Sequence, residues 1–188
     1  MLSPLQQLTD EELMARLQSG RKDCFELLYE RYRVKLYNYL LRLCCSSQRA
    51  EDLLHDSFMK VIEHPGKFNT QLRFSTWIYT VATNLYRNEA RNMETHKRLL
   101  QSGPTQNSIE HNYEPKHIDR MNFRKELDKF IDGMGDGHKT IFLLRFREEL
   151  TIPEISKILN IPEGTVKSRL FYMMKQMATA FRAYDPAG

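Results

Sequence analysis

The chain lacks the features that mark several large classes of protein. It has no apolar run near the ~20 residues of a membrane span, and its N-terminus has no signal-peptide core. Its three cysteines form no CxxC pair, and its six histidines show no metal-ligand spacing. Neither a Gly-rich phosphate loop nor a nucleophile elbow is present. We therefore expect a cytoplasmic protein without membrane insertion, metal, cofactor or enzymatic activity.

The cysteines have two interpretations. Cys44 and Cys45 are adjacent in an apolar helical pattern, and Cys24 stands apart from them. Free cysteine in such a pattern behaves as a small hydrophobe, whereas a redox sensor needs a reactive thiolate. The pattern favours packing in the core over redox sensing.

Composition is otherwise ordinary, and the distribution of charge is more informative than its total. With 188 residues, 41% of them apolar and 28% charged, the chain has the make-up of a globular protein. That length allows one compact domain or two small ones. The formal net charge of +4 is mild, so it identifies no partner by itself.

The most informative stretch is TIPEISKILNIPEGTVKSRLFYMM, at 151–174. Thr151 and Glu154 have the spacing of a capping box, which begins a helix, and Pro153 suits the first turn of that helix. Asn160 tolerates the left-handed conformation with which a helix often ends. Two short helices around such a turn form a helix-turn-helix. That plan buries four apolar residues of this stretch: Ile155, Leu159, Ile161 and Val166.

The alternative is an ordinary helical hairpin, and charge argues against it. From Glu163 to Arg182 there are four lysines and arginines against one acid. Polar side chains also crowd the start of the second helix, off its apolar stripe. Short polar and basic groups there suit base edges and phosphates. This face consists of Thr165, Lys167, Ser168, Arg169 and Tyr172.

Helical periodicity dominates the rest of the chain, and no strand alternation is convincing. Polar residues with Gly103, Pro104 and Pro115 interrupt the pattern and indicate a linker. We predict an all-α fold of two small helical domains joined by this flexible linker, the second domain being the helix-turn-helix. The predicted boundaries are 1–95, 96–119 and 120–188. The first domain has predicted helices at about 9–20, 23–45, 50–63 and 75–93.

The fourth predicted helix has two contrasting faces. Its apolar stripe consists of Phe74, Trp77, Ile78, Val81, Ala82 and Leu85. Aromatic rings, amides and arginines occupy the other face, and such groups stack on unpaired bases and bond to their edges. From Lys67 to Arg91 four cations stand against Glu89 alone. A solvated face is the better interpretation of a lone helix, but a DNA-binding second domain favours nucleic acid. The polar face holds Tyr79, Thr80, Thr83, Asn84, Tyr86, Arg87, Asn88 and Arg91.

The third predicted helix has the opposite charge. Four acids face only Lys60, and Asp52 and Asp56 repel each other at i, i+4. Such a surface is unlike one that touches phosphate. It is either an ordinary solvated face or a docking surface for a basic protein.

With these motifs in this order, the chain resembles bacterial sigma factors of the extracytoplasmic-function (ECF) group. AEDLLHDSFMKVIEHPGKF, at 50–68, is similar to the family's polymerase-docking helix. FSTWIYTVATNLYRNEARN, at 74–92, is similar to the helix that melts and reads the minus-ten promoter element. The helix-turn-helix is similar to the one that reads the minus-thirty-five element. The resemblance covers about 9–95 and 120–182, and it implies core RNA polymerase, promoter DNA and an anti-sigma factor as partners.

The resemblance also implies roles for individual residues. The loop at 68–73 would help to form a pocket for a flipped base of the non-template strand. Polymerase contacts fall on Asp52, His55 and Asp56. Minus-ten contacts fall on Lys67, Phe68, Arg73, Tyr79, Asn84, Arg87, Asn88 and Arg91. Minus-thirty-five contacts fall on Thr165, Lys167, Ser168, Arg169, Phe171 and Tyr172.

The chain departs from the family pattern at several of these positions. His55 stands where the family often has Gln, and Asn88 where Asp is frequent. After Leu170 the family commonly continues with arginines, whereas this chain has Phe-Tyr-Met-Met. Of these four residues, we expect Met173 and Met174 to lie in the core.

Three other functions compete with the sigma-factor interpretation. A conventional helix-turn-helix regulator would bind duplex DNA without polymerase, but the first domain shows neither a dimer interface nor an effector pocket. An enzyme would need a convergent catalytic group, and none emerges from the sequence. A pure interaction module would lack the face of amides, aromatic rings and arginines.

Overall fold

The computed structural model describes residues 4–100 and 120–182, and the regular secondary structure in these ranges is entirely helical. This confirms the predicted all-α fold. No helix in the described ranges is long and apolar enough to cross a membrane. Short 3-10 turns occupy Pro4–Gln7 and Pro65–Lys67, and a π-helical turn occupies Leu143–Arg147. The helices are α1 (Asp10–Gln18), α2 (Asp23–Cys44), α3 (Ser47–Glu63), α4 (Phe74–Leu100), α5 (Arg120–Asp132), α6 (Asp136–Phe142), α7 (Ile152–Leu159) and α8 (Glu163–Ala180).

Contacts divide the chain into two compact units. The first contains α1 to α4, and the second contains α5 to α8, except that Lys157–Asn160 group with the first. Most of the predicted linker, 101–119, lies outside the described residues. The predicted domain boundaries therefore stay a prediction.

Local sequence signals set the helix ends of the first unit. Thr9 and Glu12 form the expected capping box at the start of α1, with both backbone-to-side-chain bonds present. Gly20 follows this helix with a φ of 94°, which glycine adopts without steric cost. Ser46 caps α3 by accepting a hydrogen bond from the backbone N–H of Arg49.

A polar contact fixes α1 against α2. Arg31 donates a 2.6 Å hydrogen bond to Asp10 Oδ1 and also bonds the carbonyl of Leu8. The hydroxyl of Tyr32 donates to the other oxygen of Asp10. Burial, reinforced by this bond, raises the pKa of Tyr32 well above its usual value. Asp10 therefore joins the first helix to the second through two side chains.

The buried face of α4 differs from the predicted stripe. Trp77, Val81 and Leu85 are only half-buried. The helix also continues to Leu100, beyond the predicted end near residue 93 and the predicted start of the linker at 96. Thr83 and Tyr86 can be buried because their hydroxyl groups bond to Tyr39 and to the carbonyl of Leu43. The face that packs inward consists of Phe74, Ile78, Tyr79, Ala82, Thr83 and Tyr86.

The helix-turn-helix of the second unit follows the prediction closely. The backbone N–H of Thr151 donates to Glu154 at 2.8 Å, as the capping box requires. Asn160 has a φ of 52°, the left-handed conformation expected at the end of α7. The hydroxyl of Ser156 donates a 2.6 Å bond to the carbonyl of Ile161 across the turn. Ile161 itself is half-buried rather than buried. The buried residues of the motif include Ile155, Ile158, Leu159, Val166 and Met173.

Two predicted core residues lie at the surface. Cys45 is exposed, because it takes a left-handed φ of 52° to end α2 and so leaves the helical stripe that buries Cys44. Met174 is 46% exposed, because it lies one position past the buried Met173 and outside the α8 stripe. Cys24 is buried as predicted, and this burial raises the pKa of its thiol. A raised pKa disfavours the reactive thiolate and is consistent with a packing role.

Candidate functional site

The acidic side of α3 is exposed to solvent. Asp52, His55 and Asp56 all lie at the surface, as predicted. Gln48 donates a 3.3 Å hydrogen bond to Asp52 from one turn earlier, and this bond leaves the charge of the carboxylate in place. The face can therefore bind cations or a basic protein surface, and it repels phosphate.

An apolar groove of about 360 Å³, here called the α2–α3 groove, lies beside this acidic side. Aromatic rings from both helices form its floor. Tyr29 and Phe58 meet edge to face with centroids 4.8 Å apart, and Phe25 lies 6.0 Å from Phe58. Ile62 at the edge is 46% exposed. The lining residues are Phe25, Tyr29, Glu51, Leu54, His55, Phe58, Met59 and Ile62.

Sequence reasoning missed this groove. Phe25, Tyr29, Leu54 and Phe58 fit a core stripe, and periodicity alone does not distinguish a filled core from an open groove. His55 belongs both to the groove and to the predicted polymerase contacts. The groove and the acidic side of α3 thus form one continuous surface.

Helical spacing places several polar and basic side chains on one side of α4, here called the α4 face. Asn84, Asn88 and Arg91 are exposed, and Arg87 is half-buried. Arg91 donates a 2.6 Å hydrogen bond to the amide oxygen of Asn88, which leaves that amide's N–H groups available. Lys67 and Arg73, in the segment before α4, are also exposed. The α4 face consists of Arg73, Trp77, Thr80, Asn84, Arg87, Asn88 and Arg91.

An ion pair with α3 offsets the charge of Glu89, an acid of α4. Glu89 accepts two bonds from Arg49, at 2.9 and 3.1 Å. The same bonds raise the pKa of Arg49. Because Arg49 offsets the charge of Glu89, the α4 face keeps its positive character.

Two predicted minus-ten residues do not reach the surface. Phe68 is 2% exposed, since its ring packs 5.7 Å from Phe74 and 5.4 Å from Trp77. Tyr79 is also 2% exposed, with its ring against Tyr39. Both side chains are therefore buried in this structure, and their direct contact with DNA stays a prediction.

Trp77 and Thr80 lie on the α4 face instead. Sequence reasoning placed Trp77 in the apolar stripe and gave Thr80 no role. Both are half-buried. Trp77 follows Arg73 by four residues and precedes Asn84 by seven, so all three share one side of the helix. Trp77 is thus an aromatic ring with part of its surface on the α4 face. The spacing of Trp77 from Asn84 was the sequence signal that could have placed Trp77 on this face.

The second unit presents the outward side of α8. Lys167, Ser168, Phe171 and Tyr172 are exposed, as their predicted role requires, and Thr165 is half-buried. Arg169 is also half-buried. Lys167 lies 3.9 Å from Glu163, a long and exposed pair that leaves its amine accessible. A row of small polar, aromatic and basic groups therefore runs along the outward side of α8.

Within the described ranges, no group of three or more histidine, cysteine or acidic side chains could hold a metal ion.

Comparison with known families agrees with both units. Sigma-70 region 2 matches residues 28–95, and Sigma-70, region 4 matches residues 124–177. The chain belongs to the sigma-70 family. The two matched regions hold α3 and most of α4 in the first unit, and α7 and most of α8 in the second. The protein is thus an RNA polymerase sigma factor, as the sequence predicted.

Similar proteins place this sigma factor in the ECF group. It is 29% identical to RNA polymerase sigma-H factor of Pseudomonas aeruginosa over 89% of this chain and 91% of that protein. It is 28% identical to ECF RNA polymerase sigma factor SigW of Bacillus subtilis over 82% of this chain and 87% of that one. Its fold is similar to sigma factor RpoE of Bartonella quintana, solved with the anti-sigma factor NepR. The TM-score is 0.67 at 17% identity, over 86% of this chain and 98% of that one.

Proposed function

We propose that this sigma factor directs core RNA polymerase to promoters by dividing three contacts among its surfaces. The α3 side docks on polymerase, the α4 face captures the separated minus-ten strand, and α8 reads the minus-thirty-five duplex. The observation that carries this proposal is the contrast within the first unit. One helix exposes carboxylates beside an apolar groove, and the next exposes amides and arginines. These two surfaces suit two different partners.

The α3 side suits a basic protein partner with apolar side chains. Asp52 and Asp56 repel phosphate, so DNA is the wrong occupant for this side. The groove beside them buries apolar groups, which supply most of the free energy of protein association. The carboxylates would then orient the partner and exclude wrong ones. Core polymerase is the partner that the sigma family implies.

The α4 face suits unpaired bases. Asn84 and Asn88 offer amide groups that bond to base edges, and Arg87 and Arg91 offer charge to the backbone. The half-buried ring of Trp77 offers a surface for stacking. In a duplex the Watson–Crick edges are paired and the base faces are stacked, so a face that bonds those edges and stacks on a base binds DNA after the strands have separated.

Magnitudes favour a specificity subunit over an autonomous melting protein. Stacking one base on an aromatic ring is worth about 1–3 kcal/mol. Opening each step of duplex DNA costs about 1.4 kcal/mol. One stacked base therefore offsets only one or two steps, whereas a transcription bubble spans many. The polymerase must supply the remaining free energy of strand opening. The chain itself acts without enzymatic activity, and it acts in the cytoplasm.

An anti-sigma factor is a further proposed partner. The similar fold from Bartonella quintana was solved with such a protein. The α2–α3 groove offers an anti-sigma factor the same apolar floor that it offers to polymerase. An anti-sigma factor in the groove would exclude polymerase by direct competition.

The test is promoter binding and run-off transcription with the full chain, in the presence and absence of core RNA polymerase. We expect specific promoter binding and transcripts only when both are present. Core polymerase without the chain is the control for background initiation. A conventional regulator would instead bind its duplex equally well without polymerase, and that outcome would replace the sigma-factor proposal.

A further inference from the structure

Two exposed aromatic rings stand on the outward side of α8. Phe171 is 65% exposed and Tyr172 is 61% exposed. Their rings meet edge to face with centroids 5.6 Å apart, so they form one apolar patch. Other residues of α8 pack into the core, so the two rings are not needed there. An exposed apolar patch of this kind marks a binding surface.

The position of the patch indicates its partner. Val166 and Met173 are buried and hold α8 on the second unit, so the opposite side of the helix faces outward. Ser168 precedes the rings by one turn and Lys175 follows them by about one turn, and both are exposed. With Lys167 also nearby, the patch is flanked by cations. Its partner therefore carries negative charge and presents apolar groups between the charges.

Duplex DNA carries the negative charge on its phosphates, and it presents an apolar group at one kind of base pair. In the major groove, the C5 methyl of thymine is the apolar group among the base edges, and phenylalanine is one of the side chains that contact it. Arginine, in contrast, bonds guanine through two hydrogen bonds. Phe171 has no donor to offer guanine, and Tyr172 has a single hydroxyl.

We propose that Phe171 and Tyr172 read thymine methyl groups in the upstream promoter element. The 5.6 Å between their rings spans one to two base steps of about 3.4 Å. The element therefore contains a pair of thymines no more than two steps apart. This inference rests on the proposed minus-thirty-five function of α8 and adds the base class that α8 selects.

The experiment uses holoenzyme made from the full chain and bacterial core RNA polymerase. It first selects active promoters from a library in which about one helical turn of the upstream element, ~10 base pairs, is randomised. Each thymine of the selected element is then replaced by deoxyuridine, which removes only the methyl group. We expect a drop in promoter binding of about three- to fivefold for each methyl read, as for re-exposing one methyl group.

Alanine variants test whether the drop in promoter binding depends on the two rings. Phe171→Ala and Tyr172→Ala should each weaken binding to the thymine element and lose the sensitivity to deoxyuridine at one position. Phe146→Ala is the matched control, because Phe146 is a 45% exposed aromatic residue of the second unit that lies outside α8. It should keep the full sensitivity to deoxyuridine.

Two results would overturn the inference while leaving the sigma function in place. The first is a selected element without paired thymines, or one that tolerates deoxyuridine. The second is an equal loss for Phe171→Ala and Tyr172→Ala on both templates, which would assign the rings to a protein partner. A chain that initiates from no promoter would instead overturn the proposed function and this inference with it.

Discussion

The hydroxyl groups of Tyr39 in α2 and Thr83 in α4 lie 2.8 Å apart inside the first unit. The Tyr39 ring also meets that of Tyr79 edge to face, with centroids 5.2 Å apart. Because Tyr79 and Thr83 are one turn apart, both contacts turn the same side of α4 toward α2. The side that carries Asn84 and Arg91 is thereby left at the surface, where it forms the α4 face.

We predict that Thr83→Val destabilises the first unit by about 0.5–1.5 kcal/mol, the usual net value of one hydrogen bond. Valine keeps the shape of threonine but removes the hydroxyl that bonds Tyr39. Combined with Tyr39→Phe, the loss should be smaller than the sum of the two single losses, since both remove the same bond. Trp77 is the one tryptophan of the chain and lies in this unit, so its fluorescence reports urea unfolding there.

Thr80→Val is the matched control for this substitution. The Thr80 hydroxyl donates to the carbonyl of Thr76 in its own helix and joins no other helix. We expect its free energy of unfolding to stay within about 0.5 kcal/mol of the parent value. An equally small effect of Thr83→Val would show that the Tyr39 contact does not set the rotation of α4.

The helix-turn-helix could be predicted from sequence because its signals are local. The capping pair of Thr151 and Glu154, the left-handed Asn160 and the apolar spacing each act within a few residues. Such rules hold whatever surrounds the motif. Cys45, at the end of α2, shows the limit of periodicity, because its left-handed conformation takes it off the helical stripe.

The rotation of α4 could not be predicted from its own sequence. Trp77 and Tyr79 are both aromatic, and hydropathy places the less polar Trp77 inside. The choice depends on Tyr39 of α2, which offers Tyr79 a ring and Thr83 a hydroxyl. Burial of Phe68 has a similar origin, since its partners Phe74 and Trp77 become its neighbours only once the loop has folded. In both cases the environment of the residue is set by another element.

We predict that Asn160→Ala destabilises the helix-turn-helix by about 1 kcal/mol, whereas Asn160→Gly leaves it unchanged or more stable. The φ of 52° is strained for alanine and free of strain for glycine. Hydrogen exchange of the amides of α7 and α8 measures this motif separately from the first unit. The reverse order of the two variants would contradict a left-handed turn at this position.

We predict that Asp52→Lys together with Asp56→Lys weakens binding to core RNA polymerase by about tenfold or more. The change places like charges opposite a basic partner, and such contacts cost several kcal/mol. Titration calorimetry with the full chain measures the dissociation constant. Glu30→Lys with Glu149→Lys is the control, because it makes the same change in net charge at exposed sites elsewhere. Equal effects of the two pairs would indicate general electrostatics and not docking at α3.

We predict that Ile62→Asp weakens polymerase binding through the α2–α3 groove. Ile62 is 46% exposed at the edge of the groove, so an aspartate there puts a charge on an apolar surface without opening the core. Val34→Asp is the matched control, since Val34 is a 56% exposed aliphatic residue of α2 outside the groove lining. A circular dichroism spectrum checks that both variants stay folded. Binding that survives Ile62→Asp as well as Val34→Asp would exclude the groove from docking.

We predict that Arg91→Ala and Asn84→Ala weaken capture of the minus-ten strand in distinguishable ways. Arg91 is proposed to contact phosphate, so its loss should reduce the slope of log affinity against log salt by about 0.7, the value for one contact on a single strand. Asn84 is proposed to bond a base edge, so its loss should lower the affinity and leave the slope unchanged. The measurement is binding of holoenzyme to a fork-junction DNA with an unpaired minus-ten strand over a salt series.

Arg33→Ala is the control for the loss of charge in this last comparison. Arg33 is an exposed arginine of α2, paired with Glu30 at 3.3 Å and away from the α4 face. It should leave both the affinity and the slope near the parent values. If Arg91→Ala instead matched Arg33→Ala, the separated strand would not follow the α4 face. If Asn84→Ala changed the slope and Arg91→Ala did not, the assignment of backbone and base contacts would be reversed.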